Sequence, residues 1–381
     1  MRRPRIAHVL NTIGLGGVPE AALHLIRALP PERYDCRVYV MKRSDDEEEG
    51  RGERLARFEE AGVPVCFPRS AGEKLAVASD LCGWLVAEGI DLLHTHSYKP
   101  NLYARLAGLP CREGGLRIAA HYHNQYDNKW EKDGSLTLER MLARSSDALL
   151  AVSGSVRDHV AERLGIARER VDVILNGVDA ERFAGQDPAR ARDGFGLPPD
   201  RPVVGIVGRI SPQKGQEDFL RAARLLAPRF PDALFLVVGS ADDERLLART
   251  RGLAGELGLG DAVRFTGHVT DMPALYAALD VLVAPSRWEG FGLMLVEAMA
   301  AGKPIVASAV GAIPEVLGEG GAGVLVAPAD PAAIAGAVAP LLADAGRRAA
   351  MGAAGRLRAR DFSWEASGRR LAAVYDRVLG R

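Results

Sequence analysis

Residues 285–300 read PSRWEGFGLMLVEAMA, and this stretch decides the fold. It follows the apolar run Val281 to Ala284, which predicts a short buried strand. Its glycines predict a turn, and the residues from Leu293 to Ala301 are good helix formers that are apolar on every face apart from one glutamate. A strand, a glycine turn and a buried helix in this order are typical of a parallel α/β sheet.

Two carboxylates flank the predicted start of this helix. Glu289 lies in the loop before it and Glu297 lies within it. A carboxylate in an apolar helix is costly unless something hydrogen-bonds to it, while the N–H groups and dipole of a helix N-terminus bind anions. The arrangement predicts a sugar-nucleotide site. A glutamate that awaits a ligand should have few protein partners of its own, and we expect this of Glu297.

Composition and charge are those of an ordinary soluble globular protein. The 381 residues favour two domains, and 48% of them are hydrophobic and 26% charged. Because 49 basic residues balance 49 acidic ones, a broad nucleic-acid-binding surface is not expected. No apolar run approaches the roughly 18 residues needed to span a bilayer; peripheral contact with a membrane is left open, and so is the oligomeric state.

Two further features bear on location. The four cysteines have no metal-ligand spacing and are expected to be buried free thiols in a reducing compartment; they are Cys36, Cys66, Cys82 and Cys111. The apolar run after the N-terminal arginines is broken by His8 and Asn11, so it predicts a strand and not a signal peptide. We therefore expect a cytoplasmic protein.

In the first half, strand-like runs alternate with helix-like runs, which predicts a parallel sheet. The strand Ile6 to Leu10 ends in a glycine turn, and a helix is predicted from about Pro19. The turn lacks the G-x-G-x-x-G spacing, so a nicotinamide cofactor is not expected. Residues 44–52 are acidic and predict a solvated surface loop.

A polar and aromatic cluster follows a later strand of this half. The strand Leu116 to Ala120 leads into residues 121–126, HYHNQY, with Trp130 nearby. Aromatic faces and amides at a strand end could hold a sugar or a cyclitol. We expect Tyr126 and Trp130 to face this crevice and to set the acceptor side.

The second half opens with a strand over Pro202 to Val207, followed by residues 208–215, GRISPQKG. The loop is not a P-loop because the G-K-[ST] ending is missing. Arg209 can fork onto a phosphate and Lys214 can supply a point charge beside it. Residues 184–201 are rich in Gly, Pro, Asp and Arg and predict a linker.

The run P-S-x-x-E-G-F-G-x-x-x-x-E-A-M-A-x-G-x-P, from Pro285 to Pro304, resembles the signature of the retaining glycosyltransferases of family 4. The loop GRISPQKG is similar to the family's G-R-x-x-x-x-K-G element. The resemblance is strong over residues 200–330 and loose over residues 1–150. It implies an α/β fold of the GT-B architecture, with two facing Rossmann-like domains. The first domain would comprise residues 1–185 and a C-terminal helix (363–381) that crosses back onto it. The second domain would comprise residues 186–362 and would bind the sugar nucleotide.

The resemblance also implies a reaction and a set of residues. The expected activity is transfer of a sugar from a nucleoside diphosphate sugar, UDP-linked by family expectation, to an acceptor hydroxyl with retention, in cell-surface polysaccharide or glycoconjugate assembly. No cofactor is expected, and no metal, because the sequence has no Asp-x-Asp. The implied catalytic residues are Arg209, Lys214, Glu289 and His123, with His121 as the alternative to His123. The implied substrate-binding residues are Gly16, Gly17, Asn176, Gly290, Phe291, Gly292, Leu293, Glu297 and Tyr126.

Three rivals stay open at this point. The acceptor could be a small polar natural product, or the chain could be a nucleotide-sugar epimerase or a phosphorylase of the same architecture. A non-catalytic sugar-nucleotide-binding protein is the third. Such a protein would be expected to lack Arg209, Lys214 or Glu289, and all three are present.

Overall fold

The computed structural model describes residues 2–14, 16–42, 51–69, 74–126, 130–131, 134–241 and 243–381. Most of the predicted acidic loop, 44–52, lies outside these residues, and its last two residues begin a helix. The chain divides into two compact units, Met1–Gly177 with Trp364–Arg381, and Val178–Ser363. The main segment of the first unit thus ends at Gly177, whereas the sequence predicted the domain boundary at residue 185.

The first unit is built on a parallel sheet of seven described strands in the order β3-β2-β1-β4-β5-β6-β7. The strands are β1 (Arg5–Leu10), β2 (Asp35–Val40), β3 (Val65–Cys66), β4 (Leu92–His96), β5 (Arg117–Tyr122), β6 (Ala148–Ala151) and β7 (Val171–Val173). The longer helices are α1 (Gly17–Ala28), α2 (Arg51–Glu60), α3 (Lys74–Ala87), α4 (Arg105–Gly108), α5 (Leu136–Ser145), α6 (Gly154–Leu164) and, from the end of the chain, α16 (Trp364–Leu379). A π-helical turn, Pro100–Ala104, precedes α4.

Alternation along the central strands places one hydrophobic layer on each face of this sheet. Ile6 and Leu92 pack with Leu371 and Tyr375 of α16 on one face. Ala7, Val9 and Leu93 pack against α3 and α4 on the other, with Leu81, Leu85 and Ala107 among the buried residues. The C-terminal helix therefore belongs to the core of the first unit, as expected.

The second unit holds a parallel sheet of six described strands in the order β10-β9-β8-β11-β12-β13. The strands are β8 (Val203–Val207), β9 (Leu234–Val238), β10 (Val263–Gly267), β11 (Val281–Ala284), β12 (Ile305–Ser308) and β13 (Val324–Val326). The helices are α7 (Ala180–Phe183), α8 (Pro188–Gly194), α9 (Gln216–Leu226), α10 (Glu244–Glu256), α11 (Met272–Ala278), α12 (Leu293–Ala300), α13 (Ile313–Leu317), α14 (Pro331–Ala343) and α15 (Ala345–Ala359).

Two sequence expectations need correction. The predicted linker 184–201 contains α8, because Pro188 starts a helix and the Asp187 side chain accepts the N–H of Ala189 at 2.9 Å. The four cysteines are free, as predicted, but they are half-buried instead of buried. By contrast Ser153 is the expected cap of α6, since its hydroxyl accepts the N–H of Val156 at 3.1 Å.

The strand order reverses direction once in each sheet. In the first unit the reversal lies between β1 and β4, and in the second between β8 and β11. Ligands of open parallel sheets bind outside the carboxyl ends of the strands at such points. The loops after these four strands are therefore where each unit should carry its polar side chains.

Candidate active site

In the second unit the two motif loops meet at the reversal point. Lys214, at the end of the loop after β8, donates from Nζ to Glu289 Oε2 at 2.5 Å, and Glu289 lies in the loop after β11. The two side chains are 18% and 9% exposed. The Ser286 hydroxyl adds a bond to the same oxygen at 3.4 Å. Two residues that sequence reasoning assigned from separate motifs thus form one ion pair.

Backbone contacts hold these loops in register. The N–H of Arg287 donates to the carbonyl of Gln213 at 2.8 Å, and Gln213 Nε2 donates to the carbonyl of Trp288 at 3.0 Å. Gly215 has a φ of 73°, and a Cβ there would lie 2.2 Å from the Pro285 carbonyl oxygen. Only glycine fits this approach, so the last residue of GRISPQKG is required by the packing of the loops.

Arg209 lies at the carboxyl end of β8 and is exposed. Its backbone is fixed, since Gln216 Nε2 donates to the Arg209 carbonyl at 3.1 Å and Gln216 Oε1 accepts the N–H of Ser211 at 3.3 Å. An exposed guanidinium on a fixed loop can turn to a phosphate without breaking the fold.

Helix α12 begins at this loop. Its N-cap, Gly292, has a φ of 87° and no side chain to bond the first-turn N–H groups. Phe291 is buried and packs edge-on against Phe362 at 5.7 Å, while Leu293 is half-buried. The first amides of α12 and the positive end of its dipole therefore lie next to Glu289 and Lys214, as an anion site requires.

Glu297 differs from the expectation. It has a protein partner, because the Tyr276 hydroxyl donates to Glu297 Oε2 at 2.8 Å. It is also half-buried, where an all-apolar helix predicted full burial. Burial first, and then the charge and the bond of Glu297, raise the pKa of Tyr276 well above its ordinary value. The idea that Glu297 has few protein partners is therefore wrong, because α11 places a buried tyrosine beside it.

In the first unit α1 starts at Gly17, earlier than the predicted Pro19. Gly16 is its N-cap, with a φ of 148° that favours glycine, and no side-chain bond caps the helix. This turn follows β1 at the reversal point, so Gly16 and Gly17 present backbone amides where an anion would bind.

The two candidate histidines have different surroundings. Strand β5 runs two residues further than predicted, so His121 lies on the strand and is fully buried, whereas His123 follows the strand and is half-buried. His123 Nε2 lies 3.1 Å from His96 Nδ1. Burial lowers the pKa of both His121 and His123 below its ordinary value. Of the two, His123 is the ring that a ligand can reach.

The aromatic residues of this cluster face inward, which contradicts the expected crevice. Trp130 is 1% exposed and stacks on His159 at 5.9 Å. Tyr126 is 5% exposed, and its hydroxyl accepts the N–H of His123 at 3.2 Å and bonds Ser97 Oγ at 3.1 Å. Both rings therefore support the loop that carries His123. Residues 127–129 lie outside the described chain.

Asn176 ends the first unit after β7. It is 5% exposed, and within the described residues its Oδ1 has no hydrogen-bond partner. A buried amide oxygen without a partner is costly, so Asn176 fits a binding role for an N–H or hydroxyl donor.

Two groups of residues escaped sequence reasoning. The buried ion pair of Arg105 and Glu139 gives no local signal, because the two residues are 34 positions apart. The histidines of β1 and β4, which are His8, His94 and His96, also escaped it. A signal existed, since His94 and His96 lie two apart in the sequence and share one face if the segment is a strand.

Two Rossmann-like parallel sheets, each with polar loops and a glycine-started helix at its reversal point, define the class of GT-B glycosyltransferases. The family profile "Glycosyl transferases group 1" matches residues 188–358, and "Glycosyltransferase Family 4" matches residues 15–182. The chain belongs to this family and is a glycosyltransferase.

Relatives and a solved structure agree with this assignment. The lipopolysaccharide core biosynthesis mannosyltransferase LpsB of Rhizobium meliloti (strain 1021) is 37% identical over 63% of this chain and 68% of its own length. A D-inositol 3-phosphate glycosyltransferase of Salinispora tropica is 36% identical over 78% of this chain and 61% of its own length. Anabaena Alr3699/HepE in complex with UDP-glucose has the same fold, with a TM-score of 0.85 at 22% identity over 98% of this chain and 99% of that chain.

These comparisons confirm the fold and family predicted from the sequence.

Among the described residues, no helix is both long enough and apolar enough to cross a membrane.

Proposed function

We propose that the chain transfers a sugar from a nucleoside diphosphate sugar to an acceptor hydroxyl with retention of anomeric configuration. The donor is UDP-linked, following the family expectation, and the product belongs to cell-surface polysaccharide or glycoconjugate assembly. The contact between Lys214 and Glu289 beside the start of α12 carries the proposal, since it joins a cation, a carboxylate and a helix N-terminus at one point. The four free cysteines suit a reducing cytoplasm.

In this proposal the residues act on the departing diphosphate. Arg209, Lys214 and the first amides of α12 neutralise the charge that builds on it, and Gly16 and Gly17 add backbone amides from the first unit. Because the cation and the amides are already fixed by the fold, they stabilise this charge without reorganising. No protein nucleophile is required, since acceptor attack and departure of the diphosphate share one face.

The carboxylates and His123 orient the donor. Glu289 accepts hydroxyls of the donor sugar, with Lys214 beside it. Glu297 accepts the ribose hydroxyls, and Tyr276 fixes its orientation through one oxygen. The family resemblance assigns a donor-sugar role to His123 as well, and the Tyr126 hydroxyl accepts the backbone N–H of His123.

A small polar acceptor is the second candidate, favoured by the 36% identity to a D-inositol 3-phosphate glycosyltransferase. One screen tests both. UDP-glucose, UDP-N-acetylglucosamine and GDP-mannose are offered to the purified chain with lipid-linked saccharides or with phosphorylated cyclitols. The measurements are thermal shift, release of the nucleoside diphosphate and the anomeric configuration of the product by NMR. Formation of a sugar 1-phosphate or of an epimerised donor would replace the proposal by phosphorylase or epimerase activity.

We further propose that transfer needs no divalent metal and no cofactor beyond the donor. Lys214 and Arg209 supply the positive charge that magnesium or manganese supplies in other enzymes. We expect a chelator to leave turnover unchanged, and added magnesium or manganese to leave it unchanged as well. Turnover that disappears with the chelator and returns with either ion contradicts this proposal.

A further inference from the structure

Five of the chain's eight histidines gather on one face of the first sheet. His8 on β1 pairs in register with His94 on β4, and His96 on β4 pairs with His121 on β5. His123 follows two residues later. Since side chains alternate along a strand, residues two apart and residues in register point the same way. The result is a contiguous group of imidazoles with ring centroids 4.2–5.6 Å apart for neighbours such as His94 and His96, or His96 and His121.

Four contacts join most of their nitrogens in a chain. His94 Nδ1 lies 2.6 Å from the hydroxyl of Tyr375 on α16, and this hydroxyl lies 3.3 Å from His8 Nε2. His8 Nδ1 lies 3.0 Å from His96 Nε2, and His96 Nδ1 lies 3.1 Å from His123 Nε2. The inner end of this series of contacts is the fully buried His94, and its outer end is the half-buried His123.

His121 takes no part in these hydrogen-bond contacts. It is fully buried, and within the described residues neither of its ring nitrogens has a hydrogen-bond partner. A neutral imidazole always carries one N–H donor and one acceptor. Both groups of His121 are therefore unsatisfied in the interior, which is costly and calls for an explanation.

We propose that His96, His121 and His123 bind a divalent transition-metal ion of the zinc class. One nitrogen of each ring lies within 4.8 Å of the others. Tetrahedral zinc with bonds of about 2.0–2.1 Å places ligand nitrogens about 3.3 Å apart, which is close to the 3.1 Å between His96 and His123. Imidazole nitrogen is a preferred ligand of zinc, cobalt and nickel. A metal would satisfy one of the two unpartnered nitrogens of His121.

The contacts between the rings favour this trio over a second possible trio, His8, His94 and His96. His8, His94 and His96 also lie close enough to share an ion, but all three are fully buried, and apart from His94 Nε2 their nitrogens contact Tyr375, His123 or each other. In the outer trio, His123 gives a route from solvent. With Nδ1 of His96 on the metal, its Nε2–H donates to His8, the Nε2–H of His8 donates to Tyr375, and Tyr375 donates to His94. Each of the other three contacts then has one donor and one acceptor, which is how outer groups orient metal ligands.

The protonation state of the rings is favourable as well. Burial lowers the pKa of His96, His121 and His123 below its ordinary value. Burial therefore favours the neutral form of each ring, which is the form that binds a metal ion.

One consequence rests on the proposed function. If His123 contacts the donor sugar, a metal on its Nε2 competes with the donor. Excess zinc is then expected to slow transfer, while the chelated enzyme keeps its full rate.

Cobalt titration of the full chain tests the site directly. The purified protein is stripped with a chelator, desalted and titrated with Co²⁺ at pH 7.5. We expect one equivalent to bind with the visible bands of four-coordinate cobalt, and zinc to displace it. The His121→Ala variant should bind about 100-fold more weakly, and His8→Phe about 10-fold more weakly. The control His268→Ala changes an exposed histidine of the second unit and should bind normally.

A melting curve of each variant separates metal binding from folding. Should His121→Ala fail to fold, the His123→Asn variant decides, because it removes a half-buried ligand and leaves the interior filled. The proposal is overturned if the wild type gives no cobalt bands at one equivalent, or if His123→Asn binds cobalt like the wild type. Cobalt binding without zinc inhibition would support the metal site and contradict the donor role of His123.

Discussion

The ion pair Arg105–Glu139 in the first unit and the ion pair Lys214–Glu289 in the second unit differ in how they are enclosed. In the first unit Arg105 and Glu139 are both 1% exposed, and Tyr122, Ser146 and the carbonyl of Asn101 bond to them. In the second unit Lys214 and Glu289 are 18% and 9% exposed and lie in loops at the reversal point. The first pair is closed on all sides by protein groups. The second keeps its cation where a ligand can reach it.

This difference separates scaffold from site better than charge does. A closed pair can contribute only to the fold, because a ligand cannot reach it. A pair at the carboxyl ends of strands can exchange a protein partner for a ligand oxygen. The four predictions below test this distinction, and they run from the largest expected effect to the smallest.

Removing one partner of the closed pair should have the largest effect on stability. Arg105→Leu leaves the Glu139 carboxylate buried without a cation, which is expected to lower the free energy of unfolding by about 3–5 kcal/mol. Urea unfolding measures the loss. The control Arg168→Ala breaks the pair with Asp158, whose side chains are 57% (Arg168) and 45% (Asp158) exposed. It should change the free energy of unfolding by about 1 kcal/mol or less.

A double variant sharpens this prediction. Arg105→Met with Glu139→Leu removes both charges and should recover much of the stability lost in the single variant, because no buried charge remains. An Arg105→Leu variant as stable as the wild type would show that Glu139 is solvated or protonated, and the pair would not be closed.

Breaking the open pair should act mainly on catalysis. Lys214→Ala is expected to lower turnover about 100-fold or more, by analogy with the loss of one oxyanion donor. It also leaves the Glu289 carboxylate without its cation, so we expect a stability loss of about 1–3 kcal/mol, which the sequence did not predict. Arg249→Ala, which breaks an exposed pair with Glu217, is the control and should leave both quantities unchanged. Near-normal turnover of Lys214→Ala would rule out its phosphate role.

Glu297 is an intermediate case, because it belongs to the candidate site and is also bonded to the buried Tyr276. Glu297→Leu leaves the Tyr276 hydroxyl without its acceptor, so the free energy of unfolding should fall by about 1–3 kcal/mol. Donor binding should weaken too, since the ribose loses a charged acceptor. A Glu297 with few protein partners, as the sequence suggested, would instead give unchanged or increased stability in this variant, and the Tyr276 bond argues against that outcome.

The double variant Tyr276→Phe with Glu297→Leu separates the two effects. It should recover stability, because the Tyr276 hydroxyl is removed together with its acceptor, and it should still bind the nucleotide weakly. If Glu297→Leu binds nucleotide like the wild type in calorimetry, Glu297 is a structural residue only.

The fold and the second-unit site were predictable because their signals are local. A strand, a glycine turn and a helix that carries Glu289 and Glu297 fall within twenty residues, and Gly215 must be glycine for steric reasons. That Lys214 would contact Glu289 itself was not predictable, since the two are 75 positions apart.

The first-unit site was less predictable because packing assembles it. The Tyr375 hydroxyl contacts His8, which is 367 positions away in the sequence, and Arg105 contacts Glu139, which lies on a different helix. The aromatic residues Tyr126 and Trp130 carried a composition typical of sugar sites, yet they are buried. Composition indicates which side chains could bind a sugar, but the direction in which they point depends on the loop that carries them.

Lys303 gives the smallest effect and tests a buried cation paired with a backbone group. Its ammonium donates to the carbonyl of Ala277 at 2.9 Å. Burial lowers the pKa of Lys303 to about 8, although the charge of Asp280 opposes this, and the ordinary value for lysine is about 10.4. Between these two pH values the unfolded chain binds more protons than the folded chain, so stability must rise with pH. Below pH 8 both states are protonated, and the contribution of Lys303 no longer changes.

Urea unfolding at pH 8 and pH 9 measures this rise against Lys303→Met, whose side chain has a similar length and no charge. The wild type should gain about 1 kcal/mol relative to the variant over this interval, within the limit of about 1.4 kcal/mol per pH unit for one proton. Lys99→Met changes an exposed lysine and should follow the wild type. If Lys303→Met shows the same pH dependence as the wild type, the ammonium of Lys303 is hydrated. Water and one carbonyl would then be enough to stabilise a half-buried ammonium ion. Only a fully buried cation such as Arg105 would need a carboxylate partner.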